Sequence, residues 1–169
     1  GPAADPAKIS GEKDAAAAVK RIVESKSTLL FHSSNGAGEV LRDLLDAAGV
    51  PPDPEHTLML PGDKHRESLQ RAAEAGAYTL VGRIPFLNGK LPSADLKIMV
   101  QGDLRLRRPY LVVVASGKPD DLRLTAARQL AAFLRDPATQ QFIADYGRGK
   151  YDDLPLFFPV VVPTPAIRE

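Results

Sequence analysis

Short apolar runs and amphipathic stretches alternate along most of this 169-residue chain. Runs such as residues 28–31, 57–60 and 77–81 have the apolar, β-branched character of buried strands. Between them, apolar residues recur three or four positions apart, as at residues 40–45, which is typical of one face of a helix. A strand–helix–strand order without an internal repeat is typical of an α/β sheet that carries helices on its faces.

The complete pattern predicts an α/β fold with a mixed, mostly parallel sheet of about five strands and helices on both faces. The predicted strands cover residues 28–31, 57–60, 77–81, 96–100 and 110–115. The predicted helices cover residues 12–25, 65–75, 122–134 and 137–146, together with a helix through residues 40–45. Ser10 is the expected N-cap of the first helix.

Proline marks the end of the regular region. Four prolines fall between Asp152 and Pro165. Because proline lacks the N–H group that a sheet requires, this density excludes a central strand. We therefore expect residues 1–150 to form an α/β lobe with C-terminal helices, and residues 151–169 to form an extended strap packed on it.

Composition argues against several classes of protein. The 22 basic and 21 acidic side chains give a net charge of +1, and aromatic residues make up 6%, so nucleic-acid binding is not favoured. The chain has no cysteine, and its three histidines lack metal-ligand spacing, so neither a metal nor another cofactor is predicted. The longest apolar runs are too short to insert into a membrane.

A polar turn, Ser33-Ser34-Asn35-Gly36, follows the first strand and precedes the second helix. Such a turn points backbone N–H groups and the positive end of the helix dipole at one place, which suits an anion or a carboxylate. The alternative is that Asn35 or Ser34 only caps the helix. Glu39 opposes an anion here, because at about 5 Å and an effective dielectric constant of 20 it repels a monoanion by about 3 kcal/mol.

Arg83 directly follows the strand-like residues 77–82. An arginine at the carboxyl end of a strand can hold an anion through its fork of N–H donors, so we expect Arg83 to share a site with Ser33 and Ser34. A surface ion pair is the alternative. A second basic cluster is expected to be a solvated rim and consists of Arg105, Arg107 and Arg108 beside Lys97.

An enzyme is not favoured. Ser33 or Ser34 could act as a nucleophile if a histidine served as the base. However, the chain has no GxSxG turn, and no acid that would orient the histidine is identifiable. We therefore assign no catalytic residue and predict a binding protein.

Five segments, taken in order, resemble the tungstate-type solute-binding proteins of ABC importers, within the type II periplasmic binding protein class. Residues 77–83 are similar to the family's AYTLTDR segment, and residues 101–110 are similar to its EGD…NPY run. The five segments, which span nearly the whole chain, are Asp5–Ala15, Phe31–Gly38, Ala77–Arg83, Gln101–Tyr110, and Tyr146-Gly147 with Leu156–Pro159.

The resemblance implies a two-lobed clamp that holds an oxyanion through hydroxyls, backbone amides and an arginine. This chain resembles the second lobe and the C-terminal segment, with the first lobe absent. The implied function is non-catalytic binding of tungstate, molybdate or another small anionic or polar solute, with an ABC permease as partner and an extracytoplasmic location. The implied ligand-binding residues are Ser33, Ser34, Asn35, Gly36 and Arg83.

The chain also departs from the family pattern. Ala37 and Glu39 stand where the ligand loop has serine and threonine, and Gly82 stands where an aspartate precedes the arginine. These departures predict a partly degenerate site. The alternative hypothesis is an interaction or sensory module, with a homodimer as one form, and an exposed apolar face at residues 110–115 would favour it.

Overall fold

The computed structural model describes residues 1–32, 36–60, 65–89, 95–118, 121–151 and 153–159. The chain divides into two compact units, Gly1–Arg108 and Pro109–Glu169. The first unit contains α1 (Ala15–Glu24), β1 (Leu29–His32), α2 (Gly36–Ala48), β2 (Thr57–Leu60), α3 (His65–Glu74), β3 (Tyr78–Thr79), α4 (Arg83–Leu87) and a 3₁₀ helix (Leu104–Leu106). The second unit contains α5 (Leu122–Arg135) and α6 (Pro137–Asp145).

The three strands form a parallel sheet in the order β2-β1-β3. The central strand is buried along its whole length, and its alternate side chains enter two different cores. Leu29 and Phe31 pack in a cluster with α1 and α2, whereas Leu30 packs in a second cluster with α3. The prediction of an α/β fold with helices on both faces is therefore confirmed.

The predicted number of strands is wrong, because the described residues contain three strands instead of five, and all three are parallel. Residues 96–100 form no strand. They make an isolated antiparallel bridge between Leu96 and Pro2, hydrogen bonds in both directions between Gly1 and Lys97, and a hydrogen bond from the Gly11 N–H to the Met99 carbonyl. Residues 110–115 form no backbone hydrogen bond within the described ranges. Their β-branched composition favours an extended backbone, but a strand also requires a neighbour.

Helix α1 begins later than predicted. Its N-cap is Asp14, whose carboxylate accepts a hydrogen bond from the Ala17 N–H at 2.9 Å, so the choice of Ser10 is wrong. The Ser10 N–H instead donates to the Asp5 carboxylate at 2.8 Å, outside the helix. Helix α4 was not predicted, since it has only five residues and includes Pro85. Proline is tolerated there because it lies in the first turn.

Residues near the N-terminus pack against β3 through Tyr78. The Tyr78 hydroxyl accepts a hydrogen bond from the Ala7 N–H at 3.0 Å and donates to the Asp5 carboxylate at 2.7 Å. Burial of the ring is the main reason that the pKa of Tyr78 rises to about 12. This contact connects the segment before α1 to an edge strand of the sheet.

In the second unit, residues after α6 fold back on the end of that helix. The Leu156 N–H donates to the Tyr146 carbonyl at 3.1 Å, and the Phe157 ring lies 6.3 Å from the ring of Tyr146. Gly147, with φ +84°, leaves the space that the Leu156 side chain occupies. Residues 160–169 of the expected strap lie outside the described ranges, so the strap as a whole stays a prediction. No described helix is long and apolar enough to cross a membrane.

Candidate functional site

The sheet topology places the carboxyl ends of β1 and β3 side by side at one edge of the sheet. From β1 the chain passes through α2 to β2 on one side, whereas β3 lies on the other side of β1 and continues into α4. At the edge where both strands end, the connection after β1 therefore turns away from β3 and towards β2. In open parallel sheets, ligands bind at such a point of divergence.

Two of the five predicted ligand residues can be placed at this edge. Gly36 is the first residue of α2, and Arg83 is the first residue of α4. Arg83 is half-buried, and its Nε atom is shielded from solvent. The other three predicted residues, Ser33, Ser34 and Asn35, lie outside the described residues.

Gly38 permits a close approach between the first turn of α2 and the end of β1. A Cβ atom at position 38 would overlap the carbonyl oxygen of His32, a backbone atom that cannot turn aside. The end of β1 and the first turn of α2 are thus in close backbone contact. The glycine was recognisable in the sequence as a turn residue, but this contact depends on the angle between α2 and the sheet.

A cluster of charges attaches the 3₁₀ helix to the start of α1. The Asp103 carboxylate accepts hydrogen bonds from the Ala15 N–H at 2.7 Å and from Arg105 Nη2 at 2.6 Å. Arg105 Nη2 also contacts Asp14 at 2.6 Å. The hydrogen bonds from Arg105 hold the pKa of Asp103 far below the ordinary carboxyl range. Arg105 is exposed, which agrees with the predicted solvated rim, and it is also fixed by two carboxylates.

Arg108 is exposed as well, and its guanidinium packs against Gly36. A Cβ atom built on Gly36 would lie 2.6 Å from Nη1 and 2.7 Å from both Cζ and Nη2 of Arg108. This places a second arginine, besides Arg83, near the candidate site, at the N-terminus of α2. No sequence pattern connects positions 36 and 108, since they are far apart in the chain.

The charges at this edge are of both signs. Arg83 and Arg108 are positive, and Glu39, in the first turn of α2, is negative and exposed. Because the Glu39 side chain is in water, solvent and salt weaken its repulsion of an anion below the value expected from the sequence. Within the described residues, no group of three or more acidic or histidine side chains could hold a metal ion.

A separate pocket of about 350 Å³ lies at the other end of α2. It is lined by Leu45, Asp46, Gly49, Val50, Pro51 and Pro52. A 13-residue helix is about 20 Å long, so this pocket is distant from the ends of β1 and β3. Its lining carries no basic residue.

The chain matches no protein-family model. It is 35% identical over 167 residues to a protein of Haloferax volcanii that is named as an ABC transporter anion-binding protein. That similarity covers 94% of this chain and 47% of the relative, so the chain spans about half the length of the curated relative.

Two solved structures share the fold. The tungstate-binding protein TupA from Desulfovibrio alaskensis G20 has a TM-score of 0.72 and 21% identity, covering 95% of this chain and 65% of the other. A tungstate ABC transporter protein from Geobacter sulfurreducens has a TM-score of 0.60 and 26% identity, covering 86% of this chain and 62% of the other. These similarities confirm that the chain resembles the tungstate-type solute-binding proteins of ABC transporters, as its sequence motifs indicate.

Proposed function

We propose that this chain forms part of an ABC transporter solute-binding protein and holds a small oxyanion where β1 and β3 end. The observation that carries the proposal is the placement of Gly36 and Arg83 after neighbouring parallel strands. Backbone N–H groups at the start of α2 and the guanidinium of Arg83 are both donors suited to an anion. The relatives named for anion and tungstate binding support this chemistry.

The proposed ligand shell contains hydroxyl, amide and guanidinium donors. In this proposal the donors are the side-chain hydroxyls of Ser33 and Ser34 and the side-chain amide of Asn35. Gly36 adds a backbone N–H, and Arg83 adds the N–H groups of its guanidinium. A tetrahedral ion such as tungstate or molybdate accepts hydrogen bonds in several directions at once, and this mixed set of donors matches that need. The site remains partly degenerate under this proposal, since Ala37 and Glu39 offer no hydroxyl to the ligand.

Binding without catalysis is the second part of the proposal. The relatives are transport proteins, and an ABC permease is the partner that transport requires. We further propose an extracytoplasmic location, on the same family resemblance. An open sheet edge buries less of a ligand than an enclosed pocket, so we expect the affinity of this chain alone to be weak.

Calorimetric titration with tungstate, molybdate, sulfate and phosphate tests the proposal. We expect saturable heat with at least one of these ions at low ionic strength, and none with chloride at the same ionic strength. Added salt should weaken the binding, because the ion pair with Arg83 is open to solvent screening. Absence of saturable heat with all four ions, up to millimolar concentrations and with folded protein, would exclude the oxyanion function.

A protein-interaction role is the second candidate, and one observation favours it. In the second unit, Tyr110, Leu111 and Val113 are 81%, 81% and 87% exposed. Contiguous exposed apolar residues often mark an interaction surface. If this surface pairs two copies of the chain, sedimentation velocity should show a sedimentation coefficient that rises with protein concentration. A monomer at every concentration would rule out the homodimer.

A further inference from the structure

We propose that Arg108 is a second arginine contact for the anion, held beside the start of α2 by its packing against Gly36. The inference rests on the proposed function and adds a residue from outside the two connections that follow β1 and β3. Arg108 enters from the segment after the 3₁₀ helix, so its role cannot be deduced from the strand–turn–helix pattern.

The guanidinium presents its flat face to Gly36. Its Nη1, Cζ and Nη2 atoms lie at nearly equal distances, 2.6 to 2.7 Å, from the position that a Cβ of Gly36 would occupy. Because guanidinium N–H bonds lie in the plane of the group, they point sideways from this contact and not into the helix. The donors of Arg108 therefore lie beside the first residue of α2, next to the position of the proposed anion.

Arg108 is exposed, and its charge is not used elsewhere in the described structure. It forms no ion pair or hydrogen bond there, whereas Arg21 and Arg105 both contact carboxylates. Its packing against Gly36 is thus not explained by a nearby acidic side chain. A bound oxyanion would supply the missing negative partner.

The approach of Arg108 is fixed by the segment that precedes it. Asp103 and Arg105 attach the 3₁₀ helix to the start of α1, and the Arg107 N–H donates to the Leu104 carbonyl at 3.0 Å. Leu106 packs against the core that α1 and α2 share. Arg108 is therefore two residues from Leu106, which contacts the core, and the backbone that precedes it is fixed in place.

Arg108 also changes the charge balance of the site. Arg83 alone is offset by Glu39, whereas Arg83 and Arg108 together leave one net positive charge at this edge. We expect Arg108 to contribute more to the binding of a dianion than to that of a monoanion of the same shape, because the Coulomb energy doubles with the charge. Molybdate and perchlorate, both tetrahedral, provide that comparison.

Substitution of Arg108 with glutamine tests the contact. In calorimetric titrations, R108Q should raise the Kd for molybdate about tenfold, the size of one charge-assisted contact, and should raise the Kd for perchlorate less. The matched control is R71Q, because Arg71 is an exposed arginine in the last turn of α3. R71Q removes the same charge and should leave the Kd for molybdate within about twofold of the wild type.

Substitution of Gly36 with alanine tests the packing. The added Cβ would displace the guanidinium, which is the flexible end of a side chain, while the backbone N–H of residue 36 is retained. G36A should therefore weaken molybdate binding in the wild type and have little further effect in R108Q, since the two changes remove the same contact.

The outcomes separate this inference from the proposed function. If the wild type binds molybdate and R108Q binds it equally well, Arg108 is not a ligand contact, while the oxyanion function stands. If G36A weakens binding equally with and without Arg108, the inference also fails, because Gly36 then acts through the turn. If the wild type binds none of the oxyanions, the proposed function fails, and this inference fails with it.

Discussion

Substitution of Gly38 with alanine is expected to lower the free energy of unfolding by about 2–3 kcal/mol, because the new Cβ would overlap the carbonyl oxygen of His32. Neither backbone segment can move without breaking regular structure, since the glycine lies in α2 and the carbonyl belongs to the central strand. For a chain of this size the loss corresponds to a decrease in Tm of roughly 5–10 °C. The overlap can be relieved only if α2 moves relative to β1, which would also displace Gly36 at the start of the helix.

Urea unfolding followed by circular dichroism measures this effect. The matched control is G36A, which places an identical methyl group in the first turn of the same helix but contacts only the side chain of Arg108. Alanine is also a better helix former than glycine, so G36A should be at least as stable as the wild type. Equal stability of the two variants would show that α2 does not approach the end of β1 as described.

Substitution of Arg83 with glutamine is expected to weaken molybdate binding by about 10- to 100-fold. A hydrogen bond from a charged donor is worth about 1.5–3 kcal/mol, and about 1.4 kcal/mol corresponds to a factor of ten in Kd. Glutamine retains one N–H₂ donor group but loses the charge and the fork. Because part of the Arg83 side chain is shielded from solvent, the Tm of the variant must be measured alongside its Kd.

The comparison with R83K separates charge from geometry. Lysine retains the positive charge but not the planar fork, so R83K should bind molybdate with an affinity between those of R83Q and the wild type. The control R71Q accounts for the general loss of positive charge. If folded R83Q had the same Kd for molybdate as R71Q, Arg83 would not be a contact of the anion.

The fold was predictable where the elements that pack against a strand can also be recognised in the sequence. Residues 29–32 form a central strand because they are continuously apolar up to His32 and are flanked by two helices with apolar faces. Residues 96–100 and 110–115 have comparable β propensity, but propensity does not provide a neighbouring strand. Residues 96–100 make scattered backbone contacts with Gly1, Pro2 and Gly11 instead of pairing with a strand, and residues 110–115 form no backbone hydrogen bond within the described ranges.

The candidate site was predictable in part for a similar reason. Gly36 and Arg83 follow neighbouring parallel strands, and the carboxyl ends of such strands share an edge, so their common location follows from the strand order. Arg108 could not be placed in this way. Its approach to Gly36 depends on the carboxylates that fix Arg105, and the spacing of these residues in the sequence does not indicate that cluster.

The central claim is that an oxyanion lies between the start of α2 and Arg83. Anomalous diffraction at the tungsten absorption edge, from crystals soaked in tungstate, tests it most directly because tungsten marks its own position. We expect a peak in the anomalous difference map beside the backbone N–H groups at Gly36 and in contact with the Arg83 guanidinium. A peak only at the pocket of residues 45–52, or no peak in crystals soaked at saturating tungstate, would contradict it.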